Sequence, residues 1–575
     1  QHQSPLKQKE MELSDKKGVR KIVLTLAKLG LQDVIISPGS RNAPFVISFL
    51  RHGGFHCLSV RDERSAAFFA LGKAIESHRP VAILCTSGSA TLNFAPAISE
   101  AFYRRIPLIV LTTDRPAEWT DQGDGQTIRQ SHIYRNFIRH SYDLNGDADS
   151  YDQLWHIERC LCEGWNIATM ADPGPVHFNI PLKEPLYITS EEEDDSNVRT
   201  FRELSLDRQL DHGSLKTMAA IFDNIKKVMV LVGQHDVDHE LSAGLTELAA
   251  HDNVVVLTES TSNVHHPHFV ENIDRLITGL NDVDAAELMP DLLITIGDAV
   301  VSKRIKGLLR KYRPSHHWNI HRFDALMDTY QSLSLAIPLS GSGFLNQFNQ
   351  AVSGTSSDYN KRWQTLKERK KQLHDEFTVN SEYSDYSAFN RIVQAIPKDW
   401  VVHVANSSPI RYVQLFDNSH IADMQCNRGT SGIEGCTGTA MGAASASPDK
   451  KFLLITGDIA FHYDVNALWN EARIENLNII VINNAGGGIF RIIEGPDKAA
   501  ERLAFIETEM HLDAERIAAH HDWNYLKALD NESLDTALKR LFDGNTGRTI
   551  LEIFTDADKN PLVLGQYWNY LKEKN

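Results

Sequence analysis

The run Phe452-Leu453-Leu454-Ile455-Thr456-Gly457-Asp458, answered further on by Ile479-Ile480-Val481-Ile482-Asn483-Asn484-Ala485-Gly486-Gly487-Gly488, decides how this sequence is read. Each apolar stretch has the length of a buried strand, and each stops at residues that favour a turn. The amphipathic segment between them, through Trp469, is predicted to be a helix. Strand, helix, strand is the unit that builds a parallel sheet. A carboxylate at the first strand end and a carboxamide at the second are then neighbours in space. Asp458 and Asn484, with the backbone carbonyl of Gly486, supply the hard oxygen ligands that Mg2+ or Mn2+ takes. Glycine N–H groups and helix N-termini beside such an ion cradle phosphate oxygens. Alone, Gly-Asp marks a turn as readily as a ligand site, and Asn-Asn-x-Gly serves equally as a loop with positive φ. In this order and at this separation, the pair points to a bound diphosphate.

Outward from this unit the same alternation recurs along all 575 residues, a length that favours several domains. The predicted class is α/β, with three doubly wound, mostly parallel-sheet domains at about 11–190, 205–352 and 375–575. The first holds Val34-Ile35-Ile36, Val81 to Leu84, Leu108 to Leu111 and Val176 to Ile180. The second holds Val228 to Val232, Val254 to Leu257 and Leu292 to Ile296, and the third adds Val401 to Val404 and Thr549 to Ile553. The acidic run Glu191 to Asp195 and the polar stretch Ser353 to Ser357 read as linkers, because neither buries enough apolar surface to order itself. Ligands in such sheets bind where strands end and helices begin.

A net charge of −16 argues against nucleic-acid and anionic-membrane surfaces, both of which need a basic face. No apolar run is long enough to span a bilayer. Lys16 to Leu31 reads as an amphipathic helix rather than a leader, and six cysteines without a CxxC pair fit a reducing, cytoplasmic setting. His265, His266 and His268 cluster, yet no Cys or carboxylate pattern completes a zinc site, and they read as a polar loop.

Gly457-Asp458 followed by Asn483-Asn484 resembles the signature of thiamine-diphosphate-dependent enzymes, usually GDG and then NN, with Ile459 in place of the third signature residue. The resemblance implies an activating Glu at the start of a helix in the first block. Val60-Arg61-Asp62-Glu63-Arg64 before Ser65 to Gly72 supplies that context and makes Glu63 the catalytic candidate. A carboxyl in an apolar pocket keeps a proton available because burial disfavours its charged form. An isolated Asp62-Glu63 pair would otherwise be first-turn residues complementing the helix dipole. The resemblance also places Ser407, Ser431, Gly432, Gly457, Ile459 and Gly487 at the cofactor, with Ile433 beneath it, and implies a homodimer or homotetramer sharing the cofactor between subunits.

Ile36-Ser37-Pro38-Gly39-Ser40-Arg41-Asn42-Ala43-Pro44, Thr113-Asp114-Arg115-Pro116, Asn427-Arg428-Gly429 and Gly486 to Phe490 are similar to one branch, the menaquinone-pathway synthases. These join 2-oxoglutarate to isochorismate. The likeness covers essentially the whole chain beyond its first ten residues. It implies loss of CO2 from 2-oxoglutarate and conjugate addition to isochorismate, with substrates held by Ser40, Arg41, Arg115, Gln126, Lys303, Ser407, Arg411 and Arg428 beside an apolar wall of Ile489 and Phe490. Guanidinium forks match carboxylates, which explains why an acidic chain would gather them. One alternative is an acetolactate-synthase-like decarboxylase, often with a nucleotide in the central block, but no GxGxxG occurs there; the other, a non-catalytic cofactor-binding module, would be favoured if Glu63 or Asp458 were missing, and both are present.

Overall fold

The computed structural model describes residues 12–191, 198–470, 472–493, 496, 499–544 and 547–573. Most of the acidic run Glu191 to Asp195 lies outside them. The strands make three main sheets. The first contains β1 (Asp33–Ile36), β2 (His56–Ser59), β3 (Val81–Cys85), β4 (Leu108–Asp114), β5 (His140–Asp143) and β6 (Val176–Pro181), in the order β2-β1-β3-β4-β6-β5. The second contains β7 (Val228–Val232), β8 (Val254–Thr258), β9 (Leu292–Ile296), β10 (His316–Ile320) and β11 (Leu335–Ile337), ordered β8-β7-β9-β10-β11. The third contains β12 (Trp400–Val404), β13 (Asp423–Gln425), β14 (Lys451–Gly457), β15 (Leu477–Asn483), β16 (Asn524–Ala528) and β17 (Thr549–Phe554), ordered β13-β12-β14-β15-β17-β16. The first and third sheets therefore repeat one strand order. Every pairing within the three sheets is parallel.

Parallel sheets are covered on both faces, so their strands are apolar throughout rather than alternating. In β7, Val228, Val230 and Val232 join one core and Met229 and Leu231 another, the two faces of one strand. The strand order reverses between β1 and β3 and again between β12 and β14. Loops at the carboxyl ends of those strands flank the crevice where doubly wound sheets bind ligands.

Contacts gather the residues into two units. One comprises residues 1–205, 429–449 and 464–475, and the other residues 206–428, 450–463 and 476–575. Within the first, helix Glu63–Ser77 lies directly on helix Cys436–Ala446. A Cβ added at Gly72 would stand 1.8 Å from Thr439 O, and one at Gly442 would stand 1.9 Å from Phe69 O, so the two backbones touch where side chains are absent.

The segment expected as one helix to Trp469 is instead a helix Asp458–Tyr463 followed by a 3-10 turn Val465–Leu468. The backbone leaves helical geometry at Asp464 (φ −110°, ψ 18°), and its fully buried side chain accepts the Gly438 N–H. The Ser353 to Ser357 stretch is irregular, and the amides of Ser353 and Gly354 both donate to Asp223 Oδ1. Among the described residues no helix is long and apolar enough to cross a membrane, the cysteines are free, and no His, Cys, Asp or Glu group forms a metal cluster. His265 lies in a loop, bonded to Glu271 at 2.9 Å.

Candidate functional site

In the first unit, Asp62 caps helix Glu63–Ser77 by accepting the amides of Arg64 and Ser65. The capping task thus falls to Asp62 and leaves the neighbouring carboxyl to other work. Glu63 is half-buried, and burial raises its pKa, with the Asp62 charge adding to the rise. That is the direction required of a carboxyl that must hold a proton.

Arg41 follows β1 and Arg115 follows β4. Arg41 donates from Nη1 to Leu182 O at 2.9 Å and from Nη2 to Glu184 Oε1 at 3.2 Å. Arg115 pairs with Asp124 at 3.3 Å and approaches the same Glu184 oxygen at 3.9 Å. The Arg41 side chain is 3% exposed while that of Glu184 is 70% exposed, so the shared carboxylate approaches the pair from the solvent side. Burial and then the nearby Arg115 lower the Arg41 pKa. Among the described residues neither buried Nε has a hydrogen-bond partner. Ser40 and Gln126 are exposed; Gln126 has φ +55° and its backbone packs against Gly88, whose amide is held by Gln130 Oε1.

In the same unit, Glu100 accepts the amides of Gly429 and Thr430 at 2.9 and 2.7 Å, fixing the approach to Ser431 (φ +61°), Gly432 and Ile433. Ile433 is half-buried.

In the second unit, Asp458 is 2% exposed at the end of β14. Its oxygens accept the amides of Ile459 at 2.7 Å and Gly486 at 2.9 Å, and burial pushes its pKa up to about 7 against the lowering effect of those amides. Asn484, after β15, donates Nδ2 to Asp385 at 2.9 Å, and no hydrogen bond among the described residues engages its Oδ1. A desolvated carboxylate beside a carboxamide oxygen is a donor set that suits a small divalent cation. The chain climbs away through Ala485 (φ +62°) and Gly486 (φ +137°), and the Gly487 amide donates to Glu507 O. Ile489 and Phe490 begin the short helix Ile489–Ile492, both half-buried.

Ser407, beyond β12, adopts φ +73° and ψ −129° at the start of helix Ser408–Val413, a conformation costly for any residue with a Cβ. It stands across the strand-order reversal from Asp458. Arg411 from that helix and Arg428 form a second cationic group. Each has a buried, unpartnered Nε, and Arg428 Nη1 donates to Asn406 Oδ1 at 3.0 Å. Burial lowers the Arg411 pKa and Arg428 lowers it further, against the raising effect of Asp274 and Glu259. Glu259 is fully buried, accepts the amides of Val301 and Ser302 at 2.7 and 2.8 Å, and titrates at about 7 because of burial.

Lys303 sits exposed at the head of helix Lys303–Lys311. Lys306, one turn on, is the lysine that senses Glu259, Arg428 and Arg411; its Nζ donates to Val300 O at 2.7 Å. Sequence reasoning missed Lys306, Glu184, Glu259 and Asp385. A strand-end position was the available signal for Glu184 after β6 and for Glu259 after β8.

The chain matches the N-terminal thiamine pyrophosphate (thiamine diphosphate) binding domain of thiamine pyrophosphate enzymes over residues 16–133 and their C-terminal binding domain over residues 409–553, which makes it a thiamine-diphosphate-dependent enzyme. It is 41% identical to the 2-succinyl-5-enolpyruvyl-6-hydroxy-3-cyclohexene-1-carboxylate synthase of Flavobacterium johnsoniae over 547 residues, 94% of this chain and 96% of that one. The Christiangramia forsetii synthase is 39% identical, covering 96% of this chain and 98% of its own length, and that of Porphyromonas gingivalis is 37% identical over 98% of each. The chain belongs to this synthase family.

Proposed function

We propose that the protein converts 2-oxoglutarate and isochorismate into 2-succinyl-5-enolpyruvyl-6-hydroxy-3-cyclohexene-1-carboxylate and CO2 in menaquinone biosynthesis. The observation that carries this reading is the pair of arginine groups, Arg41 with Arg115 and Arg411 with Arg428, whose buried Nε atoms await an acceptor. Two substrates bearing several carboxylates between them call for such groups, because guanidinium forks match carboxylates.

Thiamine diphosphate, when bound with Mg2+, supplies the electron sink for decarboxylation. The protein's part is to hold, orient and protonate. Asp458, the Asn484 carboxamide oxygen and the Gly486 carbonyl hold the cation, with Gly457, Ile459 and Gly487 around the diphosphate. Ser431, Gly432 and Ile433 carry the ring system, Ile433 as an apolar support. Glu63 keeps a proton at its carboxyl for the aminopyrimidine ring. Ser40, Arg41, Arg115, Gln126, Ser407, Arg411 and Arg428 orient the substrate carboxylates, with Lys303 the outermost cation, and Ile489 and Phe490 keep water from the reacting carbons.

The reading includes three functional domains, 11–190 for the pyrimidine ring, 205–352 between, and 375–575 for the diphosphate. It also includes a cytoplasmic homodimer or homotetramer in which one subunit supplies Glu63 and another Asp458. Light scattering on the purified protein tests the assembly. The reaction is tested by the loss of isochorismate absorbance with Mg2+, thiamine diphosphate and 2-oxoglutarate, each omitted in turn. Dependence on every component is expected. Isochorismate left intact while CO2 is released from pyruvate would replace this reading with an acetolactate-synthase-like one. No turnover of either would leave a cofactor-binding module.

A further inference from the structure

Asn483 and Asn484 end the same strand, and each turns its NH2 group toward a different buried carboxylate. Asn483 Nδ2 donates to Glu552 Oε1 at 2.8 Å, while Asn484 Nδ2 donates to Asp385 Oδ2 at 2.9 Å. A carboxamide presents donors at one end and an acceptor at the other, so the partner of the nitrogen decides where the oxygen points.

Asp385 is itself held on every side. It opens helix Asp385–Ala395, with Ser384 as the cap. Its backbone amide donates to Asn560 Oδ1 at 2.8 Å, its Oδ1 accepts from Thr555 Oγ1 at 2.6 Å, and Asn560 Nδ2 closes the ring by donating to Thr555 Oγ1 at 3.0 Å. The carboxyl is 2% exposed, so water cannot replace a lost partner. Oδ2 stays an acceptor whether the group is ionised or carries a proton on the Thr555 side. Turning the Asn484 carboxamide over would set two oxygens against each other in a dry place.

We propose that Asp385 is a positioning residue, which fixes the Asn484 carboxamide so that its oxygen, rather than its nitrogen, faces the cation. The inference rests on the cofactor reading above. It adds a residue that touches neither metal nor cofactor and acts through Asn484 alone, as outer partners of metal ligands do.

The test is the apparent Kd for Mg2+, from tryptophan fluorescence of the full-length protein at fixed thiamine diphosphate, with the unfolding temperature of the metal-free protein alongside. Asp385→Asn keeps the shape but lets Asn484 turn over, and should raise that Kd at least ~tenfold. Thr555→Val removes a bond to the same carboxylate without touching Asn484, and should move it less than about threefold. In the exchange Asp385→Asn with Asn484→Asp, a carboxylate faces the cation and a carboxamide NH2 supports it. That double variant should bind Mg2+ more tightly than either single variant.

Asp385→Asn binding Mg2+ as the unaltered protein does would overturn the proposal. If Asp385→Asn does not fold, the comparison of the double variant with Asn484→Asp decides: tighter binding supports the proposal, equal or weaker binding overturns it. Absence of Mg2+-dependent cofactor binding in the unaltered protein would remove the cofactor reading first, which separates the two failures.

Discussion

The backbone N–H of Gly486 donates to Asp458 Oδ2 over 2.9 Å, which ties together the ends of two adjacent strands, β14 and β15. Asp458 therefore organises the loop, and on the proposed reading its carboxylate also holds the cation. Asp458→Ala should abolish Mg2+-dependent binding of thiamine diphosphate, measured by fluorescence titration. Retained affinity would move the metal site elsewhere.

Glu63 begins a helix already capped by Asp62, so its own carboxyl is not needed for folding. Glu63→Gln should lower turnover by at least ~10²-fold while cofactor affinity changes little. Parallel steady-state kinetics and cofactor titration check this, and full activity would remove Glu63 from the reaction.

Glu184 pairs with Arg41 at 3.2 Å and nears Arg115 at 3.9 Å, from a largely exposed side chain. On the proposed reading, an incoming substrate carboxylate competes with it. Glu184→Gln should lower KM for one carboxylate substrate by about two- to fivefold, the range of a partly exposed ion pair, with kcat unchanged. The gain should fade as salt is added.

Ser407 carries backbone strain at φ +73°. Ser407→Gly should raise stability to urea by about 1 kcal/mol, strain relief exceeding the entropic cost of glycine, and should raise KM at the same time. A loss of stability would show that the strain is already compensated by the serine's contacts.

Glu259 bears on stability against pH. Its folded pKa of about 7 lies above the ordinary 4.5, so its contribution is fully present below pH 4.5 and is lost as pH rises through 7. Across that window it adds a decline of up to ~1.4 kcal/mol per pH unit to the metal-free protein. Glu259→Gln cannot ionise and should remove this component from the pH profile of urea unfolding.

The sheet units, and the placing of Asp458 and Asn484 at the ends of adjacent strands, were legible because they are local. Strand, turn and helix signals sit within a few residues of one another, and Asp458 and Asn484 belong to consecutive strands of one sheet. The position of Glu63 at a strand-to-helix junction was legible for the same reason. Asp385 was not, since it meets Asn484 only through tertiary packing, and nothing in Tyr383-Ser384-Asp385 exceeds an ordinary helix start. Lys303 and Lys306 differ by one helical turn, and sequence does not say which turn faces Arg411 and Arg428. The single-helix expectation through Trp469 failed because the backbone leaves helical geometry at Asp464 (φ −110°, ψ 18°), whose buried carboxylate is anchored by the Gly438 amide.

The bare contact at Gly72 and Gly442 sets a tolerance on all of this. Side chains between helices act as adjustable shims, because a rotamer change or a lost methyl shifts the spacing by fractions of an ångström. At these two positions none intervenes, and there backbone atoms set the spacing of helix Glu63–Ser77 from its neighbour, while nearer the start of the pair the Phe68 side chain packs against Gly435 and Gly438. A side chain at either glycine would force the two helices apart, and the helix that begins at Glu63 would move with it.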